Sequence, residues 1–150
     1  MREILFRGKR KDNGEWIEGQ LLHFKASVGT NEFTSIIQSC EWDNENEWFN
    51  LGKRARVDIE TVGQYTGLTD KNGKKIFEGD IIIESDGGMG GIPREVLWDE
   101  VWMQFECRLV RKHWAYGRNS GRLWLMRDKD IEIIGNIHDN PELLGGGSDA

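Results

Sequence analysis

Six basic residues fall within the twenty positions from Arg108 to Arg127: Arg108, Arg111, Lys112, Arg118, Arg122 and Arg127. No Asp or Glu stands among them, and Trp114, Tyr116 and Trp124 are interleaved. The segment carries +6 in a chain whose net charge is −6, so the remainder sums to −12. Guanidinium groups pair with phosphates in a forked geometry, and aromatic faces stack on unpaired bases for about 1–3 kcal/mol each. Arg108, Arg111, Lys112, Trp114, Tyr116, Arg118 and Arg122 are therefore the candidates for contact with single-stranded nucleic acid. The competing reading is structural. A strand buries alternate residues, so the tryptophans can be core while the arginines snorkel or pair with surplus acids. A strongly acidic remainder also repels a polyanion unless the basic patch is segregated.

Nothing else in the sequence selects a reactive group. His23, His113 and His138 are scattered, with none at metal-ligand spacing. No GxSxG elbow or cysteine–histidine signature is present. The run Glu41–Asn50, EWDNENEWFN, packs four carboxylates together but lacks the ordered spacing and hinge glycine of a calcium loop. It reads as a solvated, mobile loop carrying two tryptophans. The glycine-rich Asp86–Gly91 lacks the Gly-Lys-Ser/Thr of a phosphate loop and leads into Ile92-Pro93-Arg94, so it reads as a connection between strands. Cys40 and Cys107 lie far apart without a CxxC, which suggests two reduced, buried thiols in a cytosolic protein. Any of the 26 carboxylates could be paired on paper, but catalytic pairs are recognised by spatial separation. A non-enzymatic protein without metal or cofactor is the expectation.

The elements that would position these residues are announced by a repeated phrase. NGEWIEGQLL (Asn13–Leu22) returns as NGKKIFEGDII (Asn72–Ile82). Asn-Gly is the strongest short-range signal for a tight hairpin, because both residues tolerate positive φ. Each Asn-Gly is followed by an apolar segment, then Glu-Gly, then aliphatics; a glycine inside a strand marks a bulge or bend. Each copy thus predicts a hairpin whose second strand bends at Gly19 or Gly79. The polar side chains do not match between copies (Gln20 against Asp80, Glu15 against Lys74), so backbone mechanics explains the repeat better than a duplicated binding loop. A weaker echo, Glu60–Tyr65 and Glu132–Ile137, predicts two bent strands that are neighbours in a sheet.

Further strands are predicted at Phe33–Gln38, Trp124–Met126 and Asp130–Ile134, with Gly117–Gly121 a loop tip. Residues 96–109 fit both a helical and an alternating period, and the strand-rich surroundings favour two short strands turning at Asp99-Glu100. Asp139–Leu144 predicts a helical turn at most, since a capping residue precedes Pro141. With 19 glycines and 2 prolines in 150 residues, the composition suits a soluble protein of short strands and tight turns. The opening MREILFRGKRK has no apolar run for a signal peptide, and no segment reaches the roughly 18 apolar residues of a membrane span.

Three stretches give the chain a family likeness. Ile4–Lys9 with Trp16–Gly19, the central Thr61–Ile82, and the terminal Ile134–Leu144 resemble the YopX family of small bacteriophage and prophage proteins, over roughly residues 1–144. The resemblance implies a phage-encoded, β-rich protein in the cytoplasm of a bacterial host that self-associates; it supplies no catalytic residues. The likeness departs in the acidic loop after Cys40, the glycine-rich loop and the tail. The combined expectation is a mainly β protein of short, bent antiparallel strands in small barrel-like units with little helix, Ile76–Val110 fitting an SH3-like barrel. Residues 1–144 would form one domain, or two packed β lobes of about 1–54 and 55–144, and 145–150 a flexible tail. The expected role is that of an accessory protein acting by protein contact or as a homo-oligomer; the alternative is a nucleic-acid-binding module built on 108–127.

Overall fold

A computed structural model of the chain describes residues 1–25, 29, 32–84, 91–110, 120–122 as backbone, and 130–145. The Trp124–Met126 strand, residues 86–90 of the glycine-rich loop, most of the 117–121 tip and the 146–150 tail lie outside the described residues. The chain is mainly β, and its ladders are antiparallel. It divides into two compact units, Met1–Gln64 and Tyr65–Ala150. No helix among the described residues is long and apolar enough to cross a membrane.

The first unit is built on the first Asn-Gly turn. Strands β1 (Phe6–Lys9) and β2 (Trp16–Lys25) pair from Phe6↔Gly19 to Lys9↔Trp16. Gly14 takes φ +73°, and the Asn13 side chain accepts the amide of Glu15, so both turn residues do what their chemistry allows. Along β2 alternate residues point inward, which puts Ile17 and Gly19 inside and Glu18 and Gln20 in water. Strand β3 (Glu32–Ile37) pairs with β2 and is followed by β4 (Cys40–Asp43), β5 (Trp48–Leu51) and β6 (Arg54–Arg56), the last returning along β3. Ile17, Ile36 and Val57 form the core, with Phe6, Leu21, Ala55 and Val62 packed against them. Val57 sits at a seam. Its amide bonds to the Thr34 carbonyl at 3.1 Å, and a lone bridge pairs it with Arg10, tying the end of β6 to the end of β1.

The second unit holds the five-stranded ladder β12-β11-β10-β9-β13, formed by β9 (Asp80–Glu84), β10 (Arg94–Asp99), β11 (Gln104–Leu109), β12 (Ser120–Arg122) and β13 (Ile131–Asn136). The hairpin of β7 (Gly63–Thr69) and β8 (Lys75–Phe77) encloses the second Asn-Gly turn. Ile76, Ile82, Val96, Cys107 and Ile131 make the core. The 96–109 ambiguity resolves as two strands, with Asp99 opposite Gln104 and the Asp99 carboxylate accepting the amides of Val101 and Trp102. Pro141–Leu144 forms a single 3-10 turn, as the sequence predicts. The Ile76–Val110 strands appear in the expected order, but each ladder stays open rather than closing into a barrel.

Three expectations need correcting. The two Glu-Gly glycines do different work. Gly19 stays inside β2, where a Cβ would run into the Ile37 carbonyl, whereas Gly79 takes φ +81° in the turn between β8 and β9. The first is required for close approach, the second for handedness. The weaker echo does not produce neighbours: Glu60 lies in the 3-10 turn Ile59–Thr61, β7 pairs with β1 and β8, and β13 pairs with β9. Gly121, expected in a loop tip, belongs to β12 opposite Cys107.

The second turn is anchored by one carboxylate. Asp70, 7% exposed, accepts the amides of Asn72 at 2.8 Å and Lys74 at 2.9 Å, and that of Ile133 at 3.3 Å across 63 residues of sequence. Burial pushes its carboxyl up, but the amides of Lys74, Ile133 and Asn72 outweigh this and hold it below the usual carboxylate value. Asp70 therefore stabilises the fold above its unfolded pKa of about 3.9, and that contribution is lost as pH falls through the lower folded value. Asp70→Asn should cost about 1–3 kcal/mol at pH 7, because an amide offers fewer acceptor sites to three donors. Urea unfolding of both proteins should show this gap narrowing towards pH 2; an equal gap at both pH values would disprove the linkage. Gly19→Ala should lose about 1–3 kcal/mol through overpacking. Gly73→Asn, at φ +79° in open space, should lose less than about 1 kcal/mol, and equal losses at the two sites would contradict the close-approach argument.

Candidate functional site

The run Glu41–Asn50 is a hairpin rather than the expected loop. Cys40 pairs with Leu51, Glu41 with Asn50, Trp42 with Phe49 and Asp43 with Trp48. Asp43 makes the reversal: its carboxylate accepts the amides of Glu45 and Asn46 and the Asn46 side-chain amide. These bonds, the Asn46 side chain first, hold Asp43 below the usual carboxylate value. At the base, Gln38 bonds Lys53, and Ser39 accepts the amides of Gly52 and Lys53 through its carbonyl and hydroxyl. The acidic residues that suggested a cation site thus include the one that builds the turn.

Side chains alternate across such a ribbon, so its register sorts them into two faces. One gathers Cys40, Trp42, Phe49 and Leu51; the other carries Glu41, Asp43, Trp48 and Asn50. Trp42 and Phe49 meet edge to face with centroids 4.6 Å apart. This apolar face is nevertheless in solvent, with Trp42 48%, Phe49 60% and Leu51 41% exposed. A two-stranded ribbon is marginal alone in water, and contiguous exposed aromatics mark contact surfaces. The signal was present in the sequence as the apolar–acid alternation of Cys40-Glu41-Trp42-Asp43, answered by Phe49 and Leu51 two residues apart, but the charge density concealed it. In the second unit the β10–β11 reversal also exposes Val101, Trp102 and Met103, the last at φ +52°.

The candidate nucleic-acid residues fare differently. Arg108 is half-exposed on β11, with its guanidinium 3.7 Å from Asp99 and 4.0 Å from Glu106. It stands opposite Glu95, whose carboxyl burial pushes up and Arg108 draws down. Its charge is therefore shared among carboxylates. Arg122 is placed as a backbone position of β12 opposite Glu106. Arg111, Lys112, Trp114, Tyr116 and Arg118 lie outside the described residues. Among the described residues no group of three or more His, Cys, Asp or Glu is arranged to hold a metal.

The geometry defines an antiparallel β protein with an exposed apolar face on a two-stranded hairpin. A family profile described as YopX protein matches residues 5–145, and the chain belongs to the YopX family. The fold is similar to the crystal structure of protein EF1440 from Enterococcus faecalis, with TM-score 0.60 and 22% identity over 96% of this chain and 99% of that one. No curated protein matches the chain.

The cysteines correct one further expectation. Neither is in a disulfide, but Cys40 is exposed on the ribbon and only Cys107 is buried. Burial pushes the Cys107 thiol up, partly offset by Arg94 beside it. A chromogenic disulfide reagent added to dilute folded protein should consume one thiol quickly and the second only after denaturant. Two fast thiols would contradict the burial of Cys107, and none would contradict the exposed ribbon.

Proposed function

We propose that this YopX protein is a phage- or prophage-encoded accessory protein without catalytic activity. It acts in the cytoplasm of the bacterial host by protein contact, and its partner is a second copy of itself. The carrying observation is the exposed apolar face Cys40, Trp42, Phe49 and Leu51. Two such faces are self-complementary, as a two-fold contact requires, and stacking them leaves Glu41 and Asp43 on the outer faces in water. Glu41 and Asp43, the two carboxylates on the strands of the hairpin, therefore do not oppose the association. They keep it soluble when unpaired and disfavour edge-on pairing of ribbons.

A non-catalytic role is supported by the use of the aspartates. Asp43, Asp58, Asp70, Asp80 and Asp99 all accept backbone amides, which makes each part of the fold. His23 is likewise engaged, through Nδ1 and the Thr34 hydroxyl at 2.9 Å.

Light scattering across a dilution series tests the proposal. The wild-type mass should rise towards that of a dimer with concentration, while Trp42→Ser/Phe49→Ser should stay monomeric. Both side chains are exposed, so the variant's unfolding midpoint should shift by less than the equivalent of about 1 kcal/mol. A wild type that is monomeric throughout, or a variant that still dimerises, would overturn the assignment.

A further inference from the structure

We propose that the first unit also carries a phosphate-binding cleft, on a surface the basic 108–127 stretch does not include. Arg10, Lys11, Asp12, Arg54, Ala55 and Arg56 line an open cavity of about 480 Å³. That volume lies in the usual range for small-ligand sites. Four cations face one carboxylate there, a surplus of +3 in a chain of net −6. The charges are brought together by backbone pairing and not by chance proximity of mobile side chains. The Lys11 amide bonds the Arg56 carbonyl at 3.0 Å, and Arg10 bridges Val57 in the seam.

Each cation has a defined state. Arg10 is neutralised by a two-pronged bond to Asp12, Nε to Oδ1 at 2.9 Å and Nη2 to Oδ2 at 2.6 Å. Arg54 commits Nη1 to the Leu51 carbonyl at 2.6 Å, which fixes its fork while leaving its charge uncompensated. The Arg56 guanidinium lies 5.4 Å from the Phe33 ring centre, a cation–π contact that orients it without cancelling its charge. Lys11 has no ion-pair partner among the described residues. Three like charges held around one cleft repel each other, and an anion that several of them can bond relieves that repulsion. A single carboxylate offers one charge. A phosphate chain offers several, with oxygens that match guanidinium forks and an ammonium point charge. The shared chemistry is thus a polyphosphate or phosphodiester group, supplied by a free nucleotide-like ligand or by a nucleic-acid backbone.

The test uses the full chain with inorganic tripolyphosphate by calorimetry, and a labelled oligothymidylate by anisotropy, at low and moderate salt. Binding of either ligand should weaken as salt rises. Lys11→Ala and Arg56→Ala, both at exposed positions, should each weaken it about three- to tenfold. Lys25→Ala, an exposed lysine paired with Glu32 outside the cleft, should leave it unchanged. Tripolyphosphate binding without oligonucleotide binding would support a free ligand as the source. Oligonucleotide binding that tripolyphosphate displaces would support a strand backbone. No binding of either at low salt would overturn the proposal, as would binding that Lys11→Ala and Arg56→Ala leave intact.

Discussion

Short strands force frequent reversals, and every reversal strands backbone amides that must be bonded somewhere. This chain meets that constraint with aspartate. Asp43, Asp70 and Asp99 each take two or more amides at the head of a turn, and Asp80, only 1% exposed, takes the amide of Phe77 between β8 and β9. Asp58 caps the 3-10 turn Ile59–Thr61 in the same way. A carboxylate accepting amides needs no cationic partner, because oriented N–H dipoles stabilise its charge. The acidity of the chain is therefore in part a property of its turns. Carboxylates used this way are poorly placed for acid–base chemistry, since protonating one withdraws support from the strands beside it.

The same constraint explains what the sequence made legible. Turn chemistry is local, so Asn13-Gly14 and Asn72-Gly73 predicted both hairpins, and Asp99-Glu100 marked the reversal inside 96–109 correctly. What glycine does inside a strand depends on which backbone passes opposite, a fact of pairing that no local pattern contains. Hence Gly19 and Gly79, each preceded by Glu and followed by a polar residue and two aliphatics, were assigned one role and have two. The weaker echo failed for a related reason: similar bends in β7 and β13 say nothing of their partners. Asp70 was invisible as an organiser because its third donor, Ile133, is remote in sequence.

The candidate sites were harder to read because a contact surface is defined by which face each side chain occupies. Charge counting drew attention to 108–127, yet the one arginine of that stretch whose side chain is described, Arg108, stands among Glu95, Asp99 and Glu106. In Glu41–Asn50, by contrast, charge density suggested a loop in water, and only the register separates the acids from the apolar face. The basic cleft was concealed more thoroughly. Arg10 and Lys11 are more than forty positions from Arg54 and Arg56, and only the Val57 seam brings them together.

That seam also places the two proposed surfaces in one continuous piece of backbone. The ribbon ends at Leu51, β6 begins at Arg54, and between them Gly52 and Lys53 bond Ser39. Arg54 belongs to both: it lines the cleft while its Nη1 holds the carbonyl of Leu51, a member of the apolar face. An anion drawing on the Arg54 fork competes with, or completes, the bonding that fixes the ribbon's last residue. Leu51 is also one of the four residues of the apolar face proposed for self-association. Any coupling between the two proposed surfaces through this bond would be reciprocal, each event altering the other's free energy by the same amount.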